Sequence, residues 1–312
     1  MQQKTLHHLL SFALLASSIC LLLLANGAQA DNKKLLETYE KNQARLQENP
    51  YGIPIYVEST DTDNTMHGSV YGIINHPFNN VRLALTTAKT WCDIAPQHFN
   101  IKACTYQALD DHCQITFYTG RKFYEAPDEV YQLDYHFQKV AIGETYFQTL
   151  LTSADGPMGT RNYRIEAEAI PLSDSSTFIH FSYSYHYNFF TSLGMGTYLA
   201  TLGRNKVGFS VVNTGQDDEP VYIKGVRGII ERNAVRYYLA IQSYLDTAHL
   251  PDTERFKTRI QHWFELTEQH PQQLHEMDKA DYLKYKQMEH QDQLRLQQEL
   301  AAANSKRECP KQ

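Results

Sequence analysis

Two segments of this chain alternate apolar and polar residues with a strict period of two, and nothing else in it limits the fold as much. Across Tyr131–Gln138, Tyr131, Leu133, Tyr135 and Phe137 share one face, opposite Gln132, Asp134, His136 and Gln138. Across Ile179–Tyr187, Ile179, Phe181, Tyr183, Tyr185 and Tyr187 oppose His180, Ser182, Ser184 and His186. Side chains on a strand point alternately to its two faces, so each segment reads as a strand with one greasy side. Antiparallel strands of this kind need a second layer over that side.

The same period marks strands near Asn100–Tyr106, Gln114–Tyr118, Glu129–Val140, Thr145–Ser153, Tyr163–Ile170 and Thr177–Tyr187. Ahead of them, Asn32–Gln47 has helical spacing, Ser59–Thr65 is polar and reads as a loop, and His67–Ile74 reads as a strand. Pro77 then suits the start of a helix carrying Phe78, Val81, Leu85 and Ala88, and a second short helix is expected around Trp91–Ile94. Late in the chain a short helix is expected at Ser192–Leu202, then a hairpin of Val207–Val212 with Val221–Lys224. Val226–Ala248 offers the covering layer: Val226, Ile229, Ile230, Asn233, Tyr237, Ile241 and Leu245 form one helical stripe, flanked by Arg227, Glu231, Arg232 and Arg236. Beyond Pro251 the chain turns rich in Gln, His, Lys and Glu, with a thin stripe of Leu274, Met277, Tyr285 and Met288. Residues 252–312 therefore read as a helical extension, packed along the domain or offered to a protein partner.

Residues 1–30 set the compartment. Lys4, the apolar run from Leu9 to Ala25 and the small residues Ala28-Gln29-Ala30 have the form of a secretory leader cut after Ala30. An uncleaved anchor is the other reading, although nothing basic follows the apolar run to stop transfer. A periplasmic or secreted protein is expected. Export gives the cysteines weight. Of Cys92, Cys104, Cys113 and Cys309, the pair Cys92–Cys104 would close a short loop between a helix end and the next strand. Three full pairings remain open. The net charge of −6 and the lack of basic clusters leave no electrostatic footprint for nucleic acid. Metalloprotease, nucleophile-elbow, phosphate-loop and dinucleotide motifs are all missing, so neither cofactor nor metal is expected.

One strand, two short helices, about six antiparallel strands and one long helix form a specific order. It resembles the START-like helix-grip superfamily of lipid-transfer domains, polyketide cyclases and aromatases, and plant carriers of hydrophobic ligands. The segment HGSVYGIINHPFNNVRLALTTAKTWCDI, His67–Ile94, looks like that fold's opening. The stretches GPMGTRNYRI (Gly156–Ile165) and KGVRGIIERNAVRYYLAI (Lys224–Ile241) also resemble parts of an uncharacterised family of exported bacterial proteins. The resemblance implies an α+β chain. Residues 31–60 would form an N-terminal helix and linker, residues 66–248 a curved antiparallel sheet wrapped around the long helix, and residues 252–312 the extension.

In that fold the space between sheet and helix is often a cavity. Tyr135, Phe137, Tyr163, Phe181, Tyr183 and Tyr237 would line it or simply fill the core. Asn233 stands inside the helix stripe, where a buried amide needs either a ligand or a core partner such as a strand Tyr. Arg161, on the strand parity of Tyr163, and Arg227 and Arg236, beside the stripe, are candidates to hold a carboxylate or phosphate at the cavity mouth. Salt bridges to Glu166, Glu168 and Glu231 are the alternative for these arginines. Three functions fit: a binding module for a hydrophobic or amphipathic small molecule, lipids included; a cofactor-independent cyclase or hydratase; and a partner-binding envelope protein with a filled core. The binding module is the leading expectation, because the resemblance brings no catalytic signature with it.

Overall fold

A computed structural model describes residues 30–109, 112–188, 206–215, 218–303 and 309. Eight strands form one antiparallel sheet: β1 (Ile55–Thr62), β2 (Thr65–Ile74), β3 (Ile101–Ala108), β4 (Cys113–Thr119), β5 (Tyr131–Ile142), β6 (Phe147–Asp155), β7 (Arg161–Ser173) and β8 (Ser176–His186). Their spatial order is β1-β2-β8-β7-β6-β5-β4-β3. Register shifts in β3, β5 and β7 mark bulges, which bend a sheet and sharpen its twist. The helices are α1 (residues 30–47), α2 (Phe78–Leu85), α3 (Ala88–Ile94), α4 (Gly225–Thr247), α5 (Asp252–Glu268), α6 (Pro271–Leu274) and α7 (Lys279–Ala303). The helix expected at Ser192–Leu202 lies outside the described residues.

The long helix α4 crosses the greasy face of β1, β2 and β8. Two glycines on β2 let it come close: a Cβ on Gly68 would lie 3.0 Å from Cγ1 of Ile230, and one on Gly72 would overlap the Tyr238 phenol. The helix is buried nearly all round, with Ile230, Val235, Tyr238 and Ile241 in the core beside Glu231, Arg232 and Arg236. Of the charged residues beside the stripe, Glu231, Arg232 and Arg236 are therefore inside, whereas Arg227 is half-buried. Glu231 shows how one of them is accommodated. It accepts hydrogen bonds from the Ser59 hydroxyl (2.6 Å), the Phe209 and Ser210 amides (2.7 and 2.8 Å) and the Ser210 hydroxyl (2.7 Å).

Ser59 belongs to a strand, not to the polar loop that the composition suggests. Asp63 and Asn64, at φ of 53° and 57°, make a tight hairpin turn between β1 and β2, a geometry that short Asx side chains tolerate. The sheet thus begins at Ile55, ahead of Met66. The late hairpin is also shorter than its pattern suggests: β9 (Val211–Thr214) pairs with β10 (Pro220–Tyr222) in a separate two-stranded sheet.

The outer face of the sheet is not simply solvated. Leu35 and Leu46 of α1 join Tyr146, Ile170 and Phe178 in a second small core, with Tyr39, Tyr56 and Tyr71 packed against it. There His180 stacks on Tyr71 at 4.3 Å and its Nδ1 pairs with Glu168 at 2.7 Å.

The far edge of the sheet is covered by the C-terminal extension. Gln293 and Gln297 of α7, four residues apart and so on one helix face, reach the unpaired backbone of β3. Their side-chain oxygens accept from the Cys104 and Tyr106 amides at 2.9 and 3.0 Å, and the Gln297 amide donates to the Tyr106 carbonyl at 3.0 Å. Two disulfides fasten the same region: Cys92 to Cys104, and Cys113 of β4 to Cys309.

Replacing Glu231 with Ala removes the acceptor of four hydrogen bonds and should cost about 3 kcal/mol in urea denaturation, with Glu231→Gln costing roughly half of that. A loss below about 0.5 kcal/mol for the Ala variant, the range of ordinary surface changes, would show that this carboxylate does not fasten the helix.

Candidate functional site

The inner face of the sheet carries a cluster of phenols against the middle of α4. Alternation on β5, β7 and β8 places Tyr135, Tyr163, Phe181, Tyr183 and Tyr185 on that side, and Tyr237 projects toward them from α4. The rings form a continuous set: Tyr135 to Tyr163 at 6.5 Å, Tyr163 to Tyr185 at 5.3 Å, Tyr183 to Tyr237 at 6.0 Å and Phe181 to Tyr237 at 5.8 Å. Tyr183 keeps partial exposure, whereas Tyr135 and Tyr237 are buried.

The hydroxyls matter more than the rings. Tyr163 pairs with the Thr160 hydroxyl at 2.7 Å, but those of Tyr135, Tyr183 and Tyr237 have no hydrogen-bond partner among the described residues. Burial, reinforced by the neighbouring phenols, pushes all three above the ordinary phenol range, so they are neutral donors. The three lie near one another, in surroundings that are aromatic and short of acceptors among the described residues.

A polar network borders this cage. His98 stacks on Tyr237 at 4.9 Å and accepts the Asn100 amide on Nδ1 at 3.2 Å, which leaves the proton of the neutral ring on Nε2. Burial, with Arg236 and Lys286 nearby, holds its pKa well below the usual histidine range. Asn233 finds its partner on its own helix, accepting from Arg236 at 3.3 Å, and not from a strand Tyr. Arg236 continues to Glu276 at 2.6 Å. Glu276, in the turn between α6 and α7, also pairs with Lys206 at 2.8 Å and with Lys122. One carboxylate thus holds three cations, and the network carries an excess of positive charge next to the cage.

The residues nominated from sequence separate into groups. Tyr135, Tyr163, Phe181, Tyr183 and Tyr237 meet in the cage, with Asn233 and Arg236 at its polar border. Phe137 lies further along β5, lining a cavity of about 160 Å³ beside the Cys113–Cys309 bridge. Arg227 points to the β1 edge, where its Nε donates to the Ser59 hydroxyl at 3.1 Å, and it lines a different cavity, of about 440 Å³. Arg161 is exposed, because a bulge at Asn162 (φ 54°) breaks the parity with Tyr163 on which its inward placement depended. Of the acids offered as salt-bridge partners for these arginines, Glu166 pairs with Arg164 and Glu168 with His180, each at 2.7 Å. Tyr185 stood in the alternating run and was legible there. His98, Lys122, Lys206 and Glu276 sit in loops with no periodic signal.

The strand order, the single gripped helix and the two short helices between β2 and β3 define a helix-grip fold. No family model matches the chain, and no curated protein does. Among solved structures, human StAR-related lipid transfer protein 5 matches 71% of this chain and 100% of its own, at 9% identity and a TM-score of 0.34. The Zhui aromatase/cyclase from Streptomyces sp. R1128 matches 39% and 67%, at 10% identity and a TM-score of 0.28. A protein from Thermus thermophilus matches 59% and 99%, at 11% identity and a TM-score of 0.37. These are likenesses of outline; the fold assignment rests on the topology itself.

The Glu276 network makes a pH prediction. Its three cations hold the Glu276 carboxyl down at about 2, against an ordinary 4.5. A carboxylate depressed on folding adds stability above its unfolded pKa and loses it as pH falls through the folded value. Glu276→Gln should therefore cost about 3 kcal/mol at pH 7, and the gap to the parent protein should close between about pH 5 and pH 2. Urea titrations at several pH values check this; a gap that stays constant across that window would contradict it.

Proposed function

We propose that this chain is an exported binding protein for a hydrophobic or amphipathic small molecule, held between the sheet and the long helix, with lipids the first class to test. The observation that carries the reading is the trio of neutral phenols on Tyr135, Tyr183 and Tyr237, whose hydroxyls have no acceptor among the described residues. Such hydroxyls are poor at filling a core and well suited to gripping a ligand that brings acceptors among apolar carbons. Arg236, with Lys122 and Lys206 behind Glu276, supports a preference for a molecule with an anionic end, since a guanidinium and ammonium groups suit a carboxylate or phosphate. Phe137, Arg161 and Arg227 stand apart from the cage and serve the reading only if the ligand is long enough to reach them.

Export is part of the proposal. The two disulfides fit a compartment outside the reducing cytoplasm, and the leader-like form of residues 1–30 supports a periplasmic or secreted destination. Among the described residues no helix is long and apolar enough to cross a membrane.

Removing an unpartnered hydroxyl separates this reading from that of a filled core. Tyr183→Phe should leave the ligand-free protein as stable as before, or up to about 1 kcal/mol more stable, and weaken retention of its ligand about tenfold. Native mass spectrometry of protein purified gently from its own cells identifies the ligand and ranks the variant. A parent protein that carries no co-purifying small molecule, or a Tyr183→Phe variant that loses stability and retains ligand unchanged, would contradict the proposal.

A further inference from the structure

A second cleft, of about 290 Å³, lies on the other side of the helical layer, between α3, α5 and α7. It touches none of the cage phenols, and its walls combine a buried cation, an unpartnered acceptor and a flat aromatic surface. The cation is Arg259, whose side chain is 4% exposed. Its guanidinium lies over Tyr244 at 4.4 Å, its Nε donates to the Thr247 hydroxyl at 3.3 Å and its Nη1 to the Asp93 carbonyl at 3.5 Å. These contacts fix its plane. Its Nη2 is buried and has no partner.

Across from it, Gln97 spends its amide N–H groups on the Ile94 and Ala240 carbonyls, at 3.2 and 3.0 Å, and its Oε1 is left buried without a donor. Two orphaned groups of opposite kind in one cleft are costly to retain unless something pairs with both. The aromatic wall is Phe256 stacked on His290, with ring centroids 3.7 Å apart and planes 11° from parallel.

Charge points to the kind of ligand. The acids at the cleft are largely taken: Asp252 pairs with Arg255 at 2.7 Å, and Glu289 with Lys286 and Lys102 at 2.7 and 2.9 Å. Asp93 forms a long ion pair with the Nη1 of Arg259 at 3.8 Å, which leaves the Nη2 without an acceptor among the described residues, and Lys89 adds a further positive charge at the rim. What the cleft lacks is an acceptor for the Arg259 Nη2, a donor for the Gln97 Oε1 and a planar body against the Phe256–His290 pair.

We propose that this cleft binds a small planar carboxylate, its anion on Arg259 and its ring along Phe256 and His290. The site is independent of the cage between sheet and helix. It arises because the C-terminal extension folds back over α3, and it gives that extension a role beyond covering the β3 edge.

The test uses the full exported chain, benzoate as the probe and benzamide as its neutral isostere, followed by ligand-observed NMR. Benzoate should bind in the millimolar range or tighter, and benzamide at least about tenfold more weakly. Arg259→Lys keeps the charge but loses the second planar donor, and Phe256→Ala removes the aromatic wall; each should weaken benzoate at least about fivefold while the chain still melts cooperatively. If Arg259→Lys does not fold, the benzamide comparison and Phe256→Ala still decide. Equal binding of benzoate and benzamide, an unchanged Phe256→Ala variant, or no benzoate binding up to about 10 mM would each overturn the proposal.

Discussion

Nearly complete burial of α4 is the constraint on which the rest of this molecule depends. A helix wrapped by a sheet on one side and by α3, α5 and the turn after α6 on the other has little solvated surface, and none for Glu231, Arg232 and Arg236. Each must find a partner inside, at a cost that only good geometry repays. Glu231 is matched to Ser59, Phe209 and Ser210, which ties the helix to β1 and to the approach of the small hairpin. Arg236 is matched to Glu276, which brings in the turn before α7. The Ser243 hydroxyl donates to the Arg259 carbonyl at 2.9 Å and so joins α5. The polar residues of α4 are thus the fasteners between the grip and its extensions.

The same burial gives the cage its chemistry. On the one stretch of α4 that faces Tyr135, Tyr163 and Tyr183, the helix contributes another phenol in Tyr237 and no acceptor. Donor hydroxyls outnumber acceptors there among the described residues. The imbalance lies where Tyr183 retains partial exposure, beside a network in which positive charge exceeds negative.

Much of this was legible in the sequence for a physical reason: period-two alternation and a long apolar stripe are consequences of burial, and burial dominates folding. The strands β5 and β8, the helix α4, the covering extension and the inward Tyr residues all follow from that signal. What escaped it depends on turn geometry or long-range charge. The strand β1 hid because Ser59 faces inward toward Glu231, a contact 172 positions away in sequence. Arg161 was misplaced because a single residue in the left-handed region, Asn162, shifts the register. Glu276 and His98 are isolated polar residues in loops, and no local pattern distinguishes a loop carboxylate that gathers three cations from one in water. The role of α1 on the outer sheet face was equally hidden, since a strand face that reads as polar can still hold Tyr71 and Phe178 for a helix to cover.

The most direct measurement is NMR of protein carrying ¹³C at the tyrosine ring carbon that bears the hydroxyl, with signals assigned by single Phe replacements and dodecanoate added below its micelle concentration. If the cage is the binding site, the signals of Tyr135, Tyr163, Tyr183 and Tyr237 shift together and saturably, while those of Tyr56 and Tyr71 on the outer face stay in place. Shifts confined to Tyr56 and Tyr71, or a cage that does not respond to this fatty acid or to lipid extracted from the producing cells, would contradict a ligand-gripping role for the interior.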